Sequence, residues 1–293
     1  MSSRLKSIGP MFAVLAAVGL VLASMSVTAA EQGDLAETGR KLSNPVSDVW
    51  ALFTEFDLSF SNGNVNQGDA EAGMAMVFQP ILPVPLAESW KIILRPTIPI
   101  TFTQPVPDGF DEFDRKGGLG DILFPLAFSP VLENWILALG PTFTIPTATN
   151  NDLGRQQWAM GPAAIVGYRN EKFVGGVFPQ YFWGLGGRGD QKSSTPDASY
   201  MNMLYFFFWN LPDAWQIGFN PAITYDHKAS RGNKWNVPVG MGFAKTTRVA
   251  GKPVKFQFSV EYSVVSQDDF GKRALIKLNI IPVIPSLLKE PLF

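Results

Sequence analysis

Apolar and polar residues alternate with a period of two along much of the chain. In the stretch "PVKFQFSVEYSVV" (253–265), every second residue from Val254 to Val264 is apolar or aromatic, and the residues between them are charged or polar. Side chains of a β-strand point alternately to its two faces, so this stretch is predicted to be a strand with one apolar and one polar face. The apolar face would cover a core in a soluble sheet and would meet lipid in a membrane barrel.

Twelve segments carry a pattern of this kind over about 9 to 11 residues, the length that a tilted strand needs to cross a bilayer. The fold class predicted from them is all-β, a transmembrane antiparallel β-barrel of twelve strands in a single domain. The segment "SYMNMLYFFFW" is apolar on both faces, so its facing is not predicted. The segments begin near Phe53, Gly73, Trp90, Leu119, Trp135, Trp158, Phe173, Tyr200, Trp215, Lys234, Lys252 and Ala274.

The connections between these segments alternate between short and long. Links such as "LAES" and "NEK" are short, whereas links such as "QPVPDGFDEFDRKGG" are longer, polar and glycine-rich. A membrane barrel has short turns at one end and longer loops at the other, and an even number of strands places both termini at the short-turn end. Prolines inside the predicted strands oppose the interpretation, because proline cannot donate to the strand ladder. They are Pro96, Pro125, Pro141, Pro162, Pro179 and Pro221.

Tryptophans provide an independent signal for a membrane barrel. Several open a predicted strand directly after a short turn or a long loop. Indole rings favour the headgroup level of a bilayer, and outer-membrane barrels carry aromatic girdles at both interfaces. The predicted girdle consists of Trp90, Trp135, Trp158, Trp215 and Trp235.

Charged residues of the strands fall on the polar parity, which would face the lumen. A Lys or Arg on the lipid face near the bilayer midplane would cost about 2 to 4 kcal/mol, so the opposite facing is disfavoured. The set is of mixed sign, which is compatible with weak ion preference or with ion pairs across the lumen. The predicted lumen-lining residues are Glu55, Asp57, Lys91, Arg95, Asp121, Arg169, Asp226, Lys255, Glu261 and Lys277.

The first thirty residues have the features of a secretory signal peptide. Arg4 and Lys6 precede an apolar run, and small residues then predict cleavage near Ala29 or Ala30. The predicted division is a signal peptide over 1–30, an N-terminal periplasmic segment over 31–47 and the barrel over 48–293. Beyond the signal peptide, no unbroken apolar run reaches eighteen residues, so strands would have to cross the membrane. The predicted location is the cell outer membrane.

Composition narrows the choice further. Charged residues make up 17% of the chain, below the average of about 25% for soluble proteins. A net charge of −1 gives no electrostatic basis for binding nucleic acid, and the absence of cysteine excludes disulfides and thiolate metal sites. No cofactor and no metal site are predicted. The acidic stretch "DGFDEFD" (108–114) matches no EF-hand spacing and is interpreted as a solvated loop.

Two alternatives to a channel involve different chemistry. His227, the single histidine, has Ser230 close in sequence, as an outer-membrane hydrolase would require, but spacing alone shows no nucleophile and base within hydrogen-bond reach. A solvated loop histidine is the preferred interpretation, and the protein is predicted not to be an enzyme. The other alternative is a soluble β-sandwich with the apolar face buried. A non-conducting structural or surface-binding barrel shares all the features described and stays open.

The sequence from about Lys41 to Ile284 resembles a family of Gram-negative outer-membrane β-barrel proteins. The similarity is most specific at "GPTFTIPTAT" and "LGRQQWAMGP". The family is labelled "transporter" or "neuromedin U" and is related to the barrels of the MetA-pathway of phenol degradation. This resemblance implies a twelve-stranded outer-membrane barrel for small molecules, without catalytic residues. The chain departs from the family in the extension "PSLLKEPLF" after Ile284, where Pro285 and Pro291 interrupt the strand that a terminal aromatic such as Phe293 normally ends.

The function predicted from sequence is therefore passive diffusion of small molecules, apolar or aromatic compounds among them, through a polar lumen. Arg95, Asp57, Lys91 and Glu261 would line this lumen, and the longer loops would narrow it. The predicted partners are the solutes themselves, outer-membrane lipid and lipopolysaccharide, and the barrel-assembly machinery during biogenesis.

Overall fold

A computed structural model describes residues 29–187, 198–288 and 290–293, so most of the predicted signal peptide lies outside the described residues. One helix, α1 (Ala29–Ser43), precedes fifteen strands. The strands are β1 (Ala51–Asn62), β2 (Glu71–Ala87), β3 (Trp90–Leu94), β4 (Ile98–Pro107), β5 (Phe113–Leu119), β6 (Ile122–Pro130), β7 (Trp135–Ile145), β8 (Gln157–Arg169), β9 (Phe173–Gly187), β10 (Ser199–Asn210), β11 (Trp215–Phe219), β12 (Ala222–Asp226), β13 (Trp235–Val249), β14 (Lys252–Val265) and β15 (Gly271–Pro282).

The fifteen strands form a barrel of twelve staves, where a stave is one crossing of the chain from end to end of the barrel. Three of these staves are each divided into two strands. The pairs β3 and β4, β5 and β6, and β11 and β12 each follow one path across the sheet. Pro96 and Pro221 lie in two of the interruptions, where the ladder needs no N–H donor. The other four prolines lie within β6, β7, β8 and β9. The prediction of twelve staves is confirmed.

The sheet closes on itself through its first and last strands. Strand β1 pairs with β2 along one edge and with β15 along the other, and every pairing is antiparallel. In the closing ladder Thr54 lies opposite Ile280 and Asn62 opposite Gly271. Closure removes both free edges of the sheet and satisfies the backbone hydrogen bonds of the edge strands within the protein. The predicted all-β antiparallel barrel is therefore confirmed.

The two ends of the barrel differ in their connections. The short-turn end carries the links from β2 to β3, β6 to β7, β8 to β9, β10 to β11 and β13 to β14. The long-loop end carries the links from β1 to β2, β4 to β5, β7 to β8, β12 to β13 and β14 to β15. The turn from β13 to β14 consists of Ala250 and Gly251 alone, both with positive φ (50° and 78°). A two-residue hairpin of type I′ needs positive φ at both positions, and glycine adopts it without steric cost.

Both described chain ends lie at the short-turn end. Helix α1 precedes the start of β1 there, and the chain after β15 runs back to the turn between β2 and β3. The Leu292 N–H donates to the Pro85 carbonyl at 3.2 Å, and the Phe293 N–H donates to the Leu86 carbonyl at 3.0 Å. Phe293 thus follows the barrel as an appended segment and is not the end of strand β15.

No helix in the described part of the chain is long and apolar enough to cross a membrane.

Apolar side chains fill the interior near the short-turn end. Val46, just after α1, is buried in a cluster that includes Ile93, Ile136, Phe206 and Phe208. Leu42 of α1 packs against a second, smaller cluster formed by Ala51, Phe53, Ile81 and Ile281. The core of the molecule therefore lies inside the barrel, between strands and the N-terminal segment.

Candidate functional site

The inner and outer faces of the barrel follow the sequence alternation closely. In β14, Lys255, Ser259 and Glu261 are at most 3% exposed, whereas Val260 and Tyr262 are 47% and 54% exposed. The polar parity thus lines the interior and the apolar parity covers the outside. Strand β10, whose facing the sequence does not predict, directs Phe206 and Phe208 inward and leaves more of Phe207 and Trp209 outside.

A buried ion cluster lies in the middle of the lumen. Lys277 Nζ lies 3.0 Å from Glu261 Oε1 and 3.5 Å from Glu55 Oε2, and all three side chains are almost fully covered. Asp57 lies opposite Lys277 in the β1–β15 ladder, and its Oδ1 atom is buried without a hydrogen-bond partner. Lys277 on β15 therefore pairs with one glutamate on each of the two strands beside it, β1 and β14.

Arg95 and Lys255 lie closer to the short-turn end than this cluster. Arg95 Nε donates to Gln79 Oε1 at 2.9 Å, and its guanidinium carbon lies 5.5 Å from the centre of the Phe53 ring. Lys255 Nζ donates to Ser43 Oγ at 2.6 Å and lies 4.3 Å from the centre of the Phe208 ring. Among the described residues, no carboxylate oxygen lies within 4 Å of either cation.

Two of the predicted lumen residues lie at the long-loop end instead of in the middle of the barrel. Asp226 pairs with Arg155 at 2.8 Å, and Arg155 lies over the ring of Tyr200 at 4.3 Å. Asp121 accepts backbone N–H groups from Ala148, Arg155 and Gln156, at distances from 2.6 to 3.2 Å. Asp226 therefore lines the entrance, and Asp121 fixes the loop between β7 and β8.

The last two of the ten predicted lumen-lining residues, Lys91 and Arg169, lie at the short-turn end. Arg169 Nε donates to the Glu133 carbonyl at 2.9 Å and thereby links two neighbouring short turns. Both side chains line a cavity of about 600 Å³, together with Lys41 and Asp48. We call this space the base cavity. Its position places Lys91 and Arg169 below the N-terminal segment, away from the mid-lumen ion cluster.

Three further cavities follow one another through the barrel. The mouth cavity, of about 660 Å³, lies at the long-loop end and is lined by residues such as Asp57, Tyr200 and Asp226. The central cavity, of about 190 Å³, shares Asn202 with it. The lower cavity, of about 30 Å³, shares four lining residues with the central cavity. That shared set is Phe53, Arg95, Leu204 and Asn220.

The N-terminal segment separates the lower cavity from the base cavity. Leu42, Ser43 and Pro45 line the lower cavity, whereas Lys41 and Asn44 line the base cavity. Neighbouring residues of one short stretch thus face two different spaces. The end of α1 and the residues that follow it therefore form a plug across the lumen, which the sequence analysis did not predict.

Contacts from two sides hold the plug in place. Ser43 Oγ donates to Gln216 Oε1 at 3.1 Å while it accepts from Lys255, so it joins β11 to β14. Arg248 pairs with Asp34 at 2.7 Å near the start of the helix. Gly39 lies against Thr246, since a Cβ built on this glycine would lie 2.6 Å from Thr246 Oγ1.

The five tryptophans of the predicted girdle lie near strand ends. Trp90, Trp135, Trp158 and Trp235 are exposed on the outside of the barrel, and Trp215 is partly exposed and packs against Phe243. Trp183 and Trp209 are also exposed on the outside, although the sequence analysis did not include them. Trp183 lies in β9 near the long-loop end, and Trp209 lies in β10 near the short-turn end.

The geometry around His227 offers no catalytic arrangement among the described residues. The ring of His227 lies 6.1 Å from that of Tyr225, and Ser230 Oγ is occupied by Asn233 Nδ2 at 2.9 Å. No hydrogen bond between His227 and a serine side chain is present there. In the described part of the chain, no group of three or more His, Cys, Asp or Glu side chains could hold a metal ion.

Comparisons with known proteins give distant likenesses to other barrels. No protein-family model matches the chain, and no curated protein matches it in sequence. One similar solved structure is the NanC porin, with a TM-score of 0.46, 8% identity, and coverage of 78% of this chain and 99% of that chain. Another is the CymD monoaromatic hydrocarbon channel, with a TM-score of 0.32, 9% identity, and coverage of 91% and 95%. The barrel architecture itself rests on the strand pairing described above.

Proposed function

We propose that the protein is an outer-membrane channel through which small molecules diffuse passively. The observation that carries this proposal is the series of three cavities, which leads from the long-loop end through a polar interior to the N-terminal plug. The outer face supports a membrane location, because apolar residues such as Met241 and Val260 are exposed there along whole strands. Apolar or aromatic compounds are among the proposed solutes, since Phe53 and Phe178 line the central cavity.

Passage through this channel requires the plug to move. The lower cavity is too small for an organic solute, and Leu42, Ser43 and Pro45 close it on the short-turn side. The hydrogen bonds that hold Ser43 are side-chain contacts that can be exchanged for water, at a net cost of about 1 kcal/mol for the bond to Gln216 and about 1.5 to 3 kcal/mol for the bond from Lys255. We therefore propose that displacement of α1 opens the path to the base cavity.

A membrane barrel of this kind also implies partners in the cell. We propose outer-membrane lipid and lipopolysaccharide as the surroundings of the outer face and the barrel-assembly machinery as the factor that inserts it. The sequence resemblance to the "transporter" family related to the MetA-pathway of phenol degradation supports this assignment. The aromatic residues near both strand ends, Trp135 and Trp158 among them, support the same location.

The plug favours one competing function, a non-conducting barrel with a structural or surface-binding role. A lumen that stays closed by α1 would pass no solute, and the mouth cavity would then serve only as a surface pocket. Both functions predict that a chain without the plug conducts, because removal of the plug opens the lumen. The two functions are distinguished by the behaviour of the intact protein.

Liposome swelling with purified, refolded protein tests the proposal. The intact chain should admit small solutes, and a variant that lacks residues 31–43 should admit them several-fold faster because the plug is missing. Sugars and small aromatic solutes of similar size should be compared to rank the chemistry of the path. Absence of swelling from intact protein that still migrates as a heat-modifiable barrel would overturn the channel in favour of the non-conducting role.

A further inference from the structure

Two basic side chains in the lower part of the lumen have no carboxylate oxygen of the described residues within 4 Å. Arg95 and Lys255 both line the lower cavity, and Arg95 also lines the central cavity. Their described contacts are with neutral groups: Gln79 and the Phe53 ring for Arg95, and Ser43 and the Phe208 ring for Lys255. Cations withdrawn from bulk water are ordinarily paired with carboxylates, so this arrangement needs an explanation.

Arg95 retains unused donors that can reach the central cavity. A guanidinium group has five N–H donors, and in the described part of the chain only Nε of Arg95 has a hydrogen-bond acceptor, Gln79 Oε1. The terminal nitrogens can form the paired, parallel hydrogen bonds that a carboxylate accepts. The residue is held in place by its contact with Phe53, which reduces the conformational freedom that binding would otherwise remove.

The walls of the central cavity are suited to an apolar body attached to such a carboxylate. Phe53, Phe178 and Leu204 contribute apolar surface, and the amides of Gln180 and Asn202 lie among them. A volume of about 190 Å³ is sufficient for one small organic molecule. Lys277 and Glu55 line this cavity too, as an ion pair, so Arg95 is its one cation without a carboxylate within 4 Å among the described residues.

Two carboxylates near the central cavity, those of Glu55 and Glu261, already pair with Lys277. Glu55 lines the central cavity too, but it faces Lys277 at 3.5 Å, and Lys277 also holds Glu261 at 3.0 Å. Asp57 opens onto the mouth cavity and does not line the central one. Arg95 thus shares the central cavity with the Glu55–Lys277 pair, whereas Lys255 lies in the lower cavity next to the plug.

We propose that the central cavity is a binding site for a small organic monoanion, with its carboxylate at Arg95 and its apolar body against Phe53 and Phe178. The inference rests on the proposed channel function and specifies its solute class. An anion at Arg95 would also lie beside the lower cavity, which is lined by Ser43, the residue that joins the plug to the barrel wall.

Equilibrium binding to intact protein in detergent micelles tests this site without any requirement for transport. Isothermal titration with benzoate should give saturable binding, and benzamide, its neutral counterpart of the same size, should bind at least about tenfold more weakly because it lacks the charge. This comparison uses only the unchanged chain, so it does not depend on the folding of a variant. Equal affinities for benzoate and benzamide, or no binding of either, would overturn the proposal.

Variants then locate the charge that is responsible. R95Q should weaken benzoate binding by at least about tenfold and leave benzamide binding nearly unchanged. R231Q is the matched control, because Arg231 is exposed in a long loop and lines none of the described cavities. Unchanged benzoate affinity in correctly folded, heat-modifiable R95Q would refute the assignment to Arg95. Swelling measured on the same preparations would separate this result from failure of the channel function, since a pore can conduct without a specific site.

Discussion

Lys255 Nζ donates to Ser43 Oγ across 2.6 Å, and this bond joins the wall of the barrel to its N-terminal plug. The hydroxyl of Ser43 in turn donates to Gln216 on β11, so one short side chain connects two strands. A lysine and a serine far apart in sequence thus define the closed state of the lumen. Under the proposed function, solutes pass only when these contacts break and the plug moves.

A disulfide between plug and wall should block opening. A Cβ built on Gly39 lies 3.5 Å from Thr246 Cβ, within the range of about 3.5 to 4.5 Å found in disulfides. The chain contains no other cysteine, so G39C/T246C offers one defined pair. Oxidised protein should show strongly reduced swelling, and a reductant should restore it. The single variants G39C and T246C are the controls, and equal swelling of the oxidised and reduced double variant would show that α1 need not move.

Loss of Lys277 should destabilise the barrel by leaving two carboxylates near each other without a cation. Breaking a buried ion pair by removing one partner costs about 3 to 5 kcal/mol, and both glutamates here are largely covered. K277M should therefore lower the urea midpoint of the refolded protein markedly. K272M is the matched control, because Lys272 is exposed at the long-loop end of the same strand.

A rescue variant separates this electrostatic effect from a packing defect. If the loss in K277M arises from unpaired carboxylates, adding E55Q and E261Q should recover most of the stability. A triple variant that is no more stable than K277M alone would show that the lysine acts through its apolar stem instead of its charge.

A charge on the outer face should be costly in the middle of a strand and tolerated at its end. Leu139 is 65% exposed near the centre of β7, whereas Val131 is exposed in the preceding short turn. L139R should reduce the free energy of folding into lipid vesicles by about 2 to 4 kcal/mol, and V131R by about 0 to 1 kcal/mol. Equal costs at the two positions would contradict a bilayer around the centre of the barrel.

Asp121 should protect the loop between β7 and β8 from proteolysis. Its carboxylate accepts three backbone N–H groups from that loop, one of them from Arg155. Hydrogen bonds to a charged group contribute about 1.5 to 3 kcal/mol, so D121A should speed tryptic cleavage after Arg155 by about tenfold or more. Cleavage after Arg231, in a different long loop, provides the internal reference and should keep its original rate.

The strands were predictable because one parity is apolar and the other polar. In β14 this alternation, from Val254 to Val264, is a local property of the sequence, and the structure reproduces it for all but Val254, which is buried. In β10, Phe206 to Trp209 are all aromatic, so only the neighbouring strands decide which of them face inward. Pairing partners are set by contacts between distant segments and leave no periodic signal in the sequence.

The plug could not be predicted from the same kind of signal, although a trace of it exists. Leu35, Gly39 and Leu42 follow the spacing of one helix face, but the segment around them is polar and short. Its position depends on Ser43 and Gly39 meeting Gln216, Lys255 and Thr246, which lie on three different strands. The central cavity was missed for the same reason, since Phe53, Gln79 and Phe178 become neighbours only on closure of the barrel.

Pairing of β1 with β15 also has a consequence for how the protein is made. The two strands that complete the barrel come from opposite ends of the folded chain, so the ladder from Thr54–Ile280 to Asn62–Gly271 can form only after the last strand is available. Until then, β1 and the most recently added strand present unpaired edges that favour aggregation. Contacts of such long sequence separation also form slowly. Biogenesis therefore requires that the nascent sheet be held apart from other copies until its first and last strands have met.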